Sequence, residues 1–142
     1  MVALPELSER SDIVVLHAPR NRGSLPLMRV VIGGVASRHA LPVDRLDDVE
    51  LAVEVLLNEE VPDGGDLTLT LAVSGDTLKV TLSGLSSPLV KRTLSGAPVV
   101  ESDRLGAQGI LRTIMDSLVD GYRTFDEDFV GSFAVEMEKR IA

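Results

Sequence analysis

The segment Leu46 to Val61, LDDVELAVEVLLNEEV, constrains this chain more than any other. Val49, Ala52, Val53, Leu56 and Leu57 recur at helical spacing, so one stripe must face a core. Glu50, Glu54, Asn58, Glu59 and Glu60 are polar, and the segment reads as a helix with a solvated acidic end. Such a helix needs a second layer to cover its stripe. Two runs downstream supply it. Leu67, Leu69, Leu71 and Val73 alternate with Thr68, Thr70 and Ala72, and Leu78, Val80 and Leu82 alternate with Lys79 and Thr81. Ser74, Gly75 and Asp76 join the runs, which predicts a hairpin with one buried and one solvated face. Only 3% of the residues are aromatic and none is Trp, so the core between the layers must be aliphatic.

The other elements follow from the same periodicities. Residues up to Asp12 read as a leader, and Ile13 to His17 as a first strand. Pro19, Asn21 and Gly23 break it. Ser24 is placed to cap a helix that carries Pro26 in its first turn and runs to about Ala40. Gly33 and Gly34 inside that helix cost about 1 kcal/mol each relative to Ala. Close packing on the sheet or on helix two is the reading we attach to them, the other being a bend near a partner surface. Leu41, Pro42 and Val43 form a tight connection, and Pro62, Asp63, Gly64 and Gly65 stop helix two. From Gly84 to Gly106 no period holds; residues 85–105 read as a long loop that includes Pro88, Gly96 and Pro98. Ala107 to Val119 is a third helix with Ile110, Leu111, Ile114, Met115 and Leu118 on its apolar face. Tyr122 to Phe125 and Ser132 to Lys139 close the chain as two strands around a turn at Asp126 to Gly131. The predicted class is α/β in the α+β sense: a two-layer sandwich, a mostly antiparallel mixed sheet of about five strands with three helices on one face.

Composition excludes several functions. The net charge of −8 argues against electrostatic binding to nucleic acid or an anionic membrane and suits a basic protein partner. With no Cys there is no disulfide or thiolate metal site, and His17 and His39 fall in different elements. No apolar run is long enough to span a membrane, and MVALPELSERSD lacks an export signal's apolar centre, so a cytoplasmic protein is expected.

Asp47, Asp48, Val49, Leu51, Ala52 and Val53 fit a pattern, D-D-hydrophobic-x-L-A-V-x-E-A-x-x-N, that resembles helix two of the RsbW-type anti-sigma regulatory factors. ILRTIMD at Ile110 to Asp116 is similar to that family's third helix, and GSFAVEMEK to its closing strand. The resemblance runs from Ile13 to Lys139 and implies the histidine-kinase-like ATPase fold. It also implies ATP held through magnesium, by a catalytic Glu, a metal-binding Asn, an adenine-binding Asp in a D-x-G-x-G box and a Gly-rich lid.

This chain departs from that set at each position. The Glu position is Val55, and the neighbouring Glu54 points about 100° away on a helix. A one-residue slip would pair Glu54 as catalytic group with Asn58 as ligand, at the expense of the apolar match. The Asn position is Glu59, whose carboxylate could hold magnesium. The adenine box falls on LSGLS, Leu82 to Ser86, where Ser83 replaces the Asp and Gly84 is the one glycine. The lid falls on RLGAQG, Arg104 to Gly109, where Gly106 and Gly109 remain. The expectation is therefore a regulatory, anti-sigma-factor-like binding protein with weak or lost nucleotide binding. It would sequester a sigma factor or switch with an anti-anti-sigma partner. The resemblance suggests Arg29 on helix one as part of the partner surface and a homodimer formed through the sheet. The alternative is an active ATP-dependent serine/threonine kinase acting on the anti-anti-sigma partner.

Overall fold

The computed structural model describes residues 11–61, 64–96, 106–128 and 131–141. Five strands form one sheet: β1 (Ser11–Pro19), β2 (Asp66–Ser74), β3 (Thr77–Leu85), β4 (Gly121–Asp126) and β5 (Phe133–Arg140). Their order is β1-β2-β3-β5-β4, and every neighbouring pair is antiparallel. The sheet is thus wholly antiparallel, simpler than the mixed sheet expected. Four helices are described: α1 (Leu25–Arg38), α2 (Val43–Asn58), α3 (Pro88–Leu94) and α4 (Ala107–Leu118), with a 3-10 turn at Arg22–Ser24 before α1.

The core lies between the helices and one face of the sheet. Leu67, Leu69, Leu71 and Val73 of β2, Leu78, Val80 and Leu82 of β3, and Phe133, Val135 and Met137 of β5 are all buried. They meet Met28, Ile32 and Val35 of α1, the full predicted stripe of α2, and Leu111, Met115 and Leu118 of α4. Each such side chain contributes about 1.5–3 kcal/mol on burial, which makes aliphatic packing the main cohesive force. One polar clasp crosses the layers. Lys139 of β5, 5% exposed, donates from Nζ to Asp48 of α2 at 2.9 Å and to the Leu118 carbonyl of α4 at 2.6 Å.

Four local expectations are corrected. Residues 88–94, taken for loop, form α3: Pro88 opens it and the Ser87 hydroxyl accepts from the Val90 N–H at 3.2 Å. Ser24 precedes α1 but does not cap it with its side chain; its hydroxyl donates instead to the Pro19 carbonyl at 2.7 Å, closing the turn after β1. Gly33 and Gly34 do not serve close packing, since a Cβ at either would meet nothing within 4 Å. α2 begins at Val43, directly after Pro42, rather than nearer Leu46. Pro62, Asp63 and Pro98 lie outside the described residues.

Candidate functional site

On α2, Glu54 and Val55 face different neighbours. Arg29 of α1 donates from Nη2 to Glu54 at 2.9 Å, which turns Glu54 toward the first helix. Val55 is half-buried against the core, on the side of the helix that carries Asp48, seven residues earlier. Asn58 ends the helix and Glu59 follows it, both exposed. Asn58 lies one turn on, on the same side of the helix as Glu54, but Glu54 is held in an ion pair across the α1–α2 seam.

The acidic helix end is not wholly solvated. Glu60 is buried, its side chain only 1% exposed. Its carboxylate accepts from the Ser86 N–H at 2.9 Å, the Ser86 hydroxyl at 2.8 Å and the Ser87 N–H at 2.9 Å. Arg20 Nε lies 3.7 Å away. The same arginine donates from Nη1 to the Gly84 carbonyl at 2.8 Å. Glu127 completes the cluster, accepting from the Gly84 N–H at 2.9 Å and the Ser132 hydroxyl at 3.1 Å. Both backbone groups of Gly84 are thus satisfied by side chains of this chain.

The backbone at Gly84 explains why that residue is glycine. Opposite β5, Leu82 faces Val135 but Leu85 faces Phe133, so β3 holds one extra residue there. Gly84 takes φ +86°, and a Cβ on it would sit 2.5 Å from the Asp66 carbonyl oxygen. The bulge resets the alternation and returns Leu85 to the core, fully buried, just before the turn into α3. Ser83, by contrast, pairs with Thr68 on the outer face of the sheet, half-buried. The segment expected to hold adenine is a structural bulge, closed by Arg20, Glu60 and Glu127.

At the other expected subsite, Gly106 caps α4 with extended backbone and Gly109 lies buried in its first turn. Gln108 between them is also buried, and among the described residues its Nε2 has no hydrogen-bond acceptor. Among the described residues no hydrogen bond links Gly106 or Gly109 to Gly84, Asn58 or Glu59. Arg104 lies outside the described residues. Arg112 of α4 donates to the Thr93 carbonyl at 2.7 Å and so ties α3 to α4. Among the described residues no three His, Asp or Glu side chains are grouped as metal ligands. At the positions expected to hold ATP and its cation, Val55 offers no side-chain oxygen, Glu54 is paired and the backbone of Gly84 is already bonded.

The helical surface carries a different signature. Leu27 and Val30 of α1 and Leu51 of α2 are 48%, 70% and 44% exposed, on the same two helices that carry the Arg29–Glu54 pair. Burial pushes the Glu50 carboxyl up; Arg29 opposes that shift and Asp47 adds to it. The opposite face of the sheet exposes Ile13 and Val15 of β1 and Phe125 of β4. A cleft of about 300 Å³ lies there, lined by Gly121, Tyr122, Arg123, Glu136 and Glu138. It is remote from Gly84, and its arginine is already held by Glu136 at 2.9 Å.

Sequence reasoning missed Arg20, Glu60 and Glu127. Ser86-Ser87-Pro88, a cap followed by a proline, was the one available signal, since it marks a helix start whose N–H groups need an acceptor.

No family model matches the sequence, and no curated protein matches it. Solved structures do match in three dimensions. One is the crystal structure of the RsbU and RsbW domains of Rv1364c from Mycobacterium tuberculosis, with a TM-score of 0.58 and 11% identity over 90% of this chain. The present chain spans 32% of that one. At such identity the likeness establishes architecture alone: an α+β sandwich with a five-stranded antiparallel sheet, similar in fold to that RsbU–RsbW structure. Among the described residues no helix is long and apolar enough to cross a membrane.

Proposed function

We propose that this chain is an anti-sigma-factor-like regulator that acts by binding a protein partner, with its ancestral nucleotide cleft turned into structure. The observation that carries this reading is the cluster at Gly84. Arg20 and Glu127 take its carbonyl and N–H, and Glu60 binds the turn that follows. Adenine would have to displace these bonds, and a polyphosphate would meet the Glu60 carboxylate rather than a cation. Three neighbouring groups would each lose a charge-assisted bond worth about 1.5–3 kcal/mol. The partner surface in this reading is the α1–α2 face around Arg29, with a sigma factor or an anti-anti-sigma protein as its occupant. A homodimer would form through the outer sheet face, where Ile13 and Val15 are exposed.

One observation favours the kinase reading. The buried Gln108 amide at the N-terminus of α4 has no acceptor among the described residues, and a phosphate could supply one. Isothermal titration with ATP and magnesium separates the two. The binding-module reading expects no heat in the micromolar range. Affinity tighter than about 100 μM, about 5.5 kcal/mol, together with transfer of labelled phosphate to an anti-anti-sigma protein, would establish the kinase. Co-purification with candidate sigma factors tests the sequestering role directly.

A further inference from the structure

The glycine pair in α1 has no internal explanation. A side chain at Gly33 or Gly34 would meet nothing within 4 Å, and neither has the positive φ that reserves a position for glycine. Each nevertheless costs about 1 kcal/mol of helix stability. The pair lies beside exposed apolar side chains of the same helix. Leu27, Val30 and Gly34 follow one another at spacings of three and four, so they share a stripe of α1. Val30 is 70% exposed and Leu27 48% exposed; Leu51 of the adjoining α2 is 44% exposed. An apolar strip beside bare backbone is the shape against which a helix packs closely, at an axial separation at or below about 8 Å.

Charge selects what lies there. The exposed and half-exposed flank of α2 carries Asp44, Asp47, Glu50 and Glu54. Arg29 is bonded to Glu54 and also favours the charged form of Glu50, and Arg38 at the end of α1 is bound to Asp12 at 3.1 Å. Asp47 crowds Glu50, an unfavourable pairing that an incoming cation would relieve.

We infer that the α1–α2 face is a docking groove for a basic amphipathic helix of a partner protein, laid across Gly33 and Gly34 with its apolar side on Leu27, Val30 and Leu51. Its Lys or Arg residues reach Asp44, Asp47 and Glu50. This inference rests on the reading of the chain as a protein-binding regulator and specifies the element that it binds. Acidic segments and nucleic acid are repelled by the same flank.

The test uses the whole chain and a synthetic helix of about 18 residues, roughly 27 Å long, with leucines on one side and lysines on the other. A scrambled peptide of equal composition is the control. Amide chemical shifts map the contact. We expect perturbations over residues 27–37 and 44–54, binding weakened at least about tenfold (about 1.4 kcal/mol) by Gly33→Ala with Gly34→Ala and by Val30→Asp, and little response to the scrambled peptide. The double alanine variant should melt no lower than the parent, so its loss of binding cannot be misfolding. Equal binding by the variants, equal binding of the scrambled peptide, or perturbations confined to the outer sheet face would overturn the proposal. Capture of a sigma factor unaffected by these variants would sink the groove and leave the regulator standing. Mapped peptide binding without any sigma-factor partner would do the reverse.

Discussion

The backbone N–H of Ser87 donates to the carboxylate of Glu60 at 2.9 Å, so a residue just past the end of α2 anchors the N-terminus of α3. With both groups of Ser86 bonded to the same carboxylate, Glu60 ties two helices to the end of β3.

Glu60→Gln should therefore destabilise the fold. The amide retains one acceptor oxygen but points a second donor at a site built of donors. Loss of one or two charge-assisted bonds predicts about 1.5–3 kcal/mol. Urea unfolding should show a lower midpoint with an unchanged slope. An unaltered midpoint would mean that the cluster is decorative.

Alanine substitutions should have opposite signs at different glycines. Gly84→Ala forces a side chain into a left-handed backbone and against the Asp66 carbonyl, and should cost more than about 1 kcal/mol. Gly34→Ala meets open space in a helix and should stabilise by about 0.5–1 kcal/mol. Melting temperatures of the two variants, measured side by side, decide this.

The Asp48–Lys139 clasp should respond asymmetrically. Asp48→Asn leaves the ammonium buried in β5 with neutral acceptors and no carboxylate to balance its charge. Lys139→Met removes the interior charge and lets Asp48, whose side chain is 38% exposed, return to water. The aspartate variant should be the less stable by about 1 kcal/mol or more. Equal losses, or the reverse order, would show that the pair acts through something other than desolvation.

Tyr122 is the sole tyrosine, so its ionisation can be followed by absorbance. Burial, together with the Asp116 carboxylate that its hydroxyl bonds at 2.6 Å, pushes the phenol up to about 12. The native state keeps this proton when the unfolded chain has lost it. Tyr122 thus favours the folded state below its ordinary range near 10, and that contribution is lost as pH climbs to about 12. Asp116→Asn should move the absorbance midpoint down, and Tyr122→Phe should flatten this part of the alkaline stability profile.

Much of the architecture was legible because two periods dominate the chain. The stripe from Val49 to Leu57 is buried as read, and so are Leu67 to Val73 and Leu78 to Leu82. What escaped was set by partners distant in sequence. Nothing in the run Asn58-Glu59-Glu60 says that its last member will be enclosed, because the donors that enclose it lie 26 and 27 residues on. α3 has seven residues, too few for a stripe to repeat, and only its cap announces it. Ser24 carried a cap's residue type, yet the Pro19 carbonyl competed for its hydroxyl. Gly33 and Gly34 were assigned an internal neighbour because helical glycines commonly have one; here the space beside them is empty. Ser83 and Gly84 fell where the expected motif should lie, but a bulge cannot be told from a degraded motif without the opposing strand.

β5 lies between β3 and β4 although it follows both in the chain. No length of polypeptide short of residue 133 can complete the sheet, however stable the preceding hairpin. Until those residues emerge, the long flank of β3 stays open to pairing with other nascent chains. Folding is therefore tied to late arrival of this strand, and slow translation ahead of it should raise the demand for chaperones.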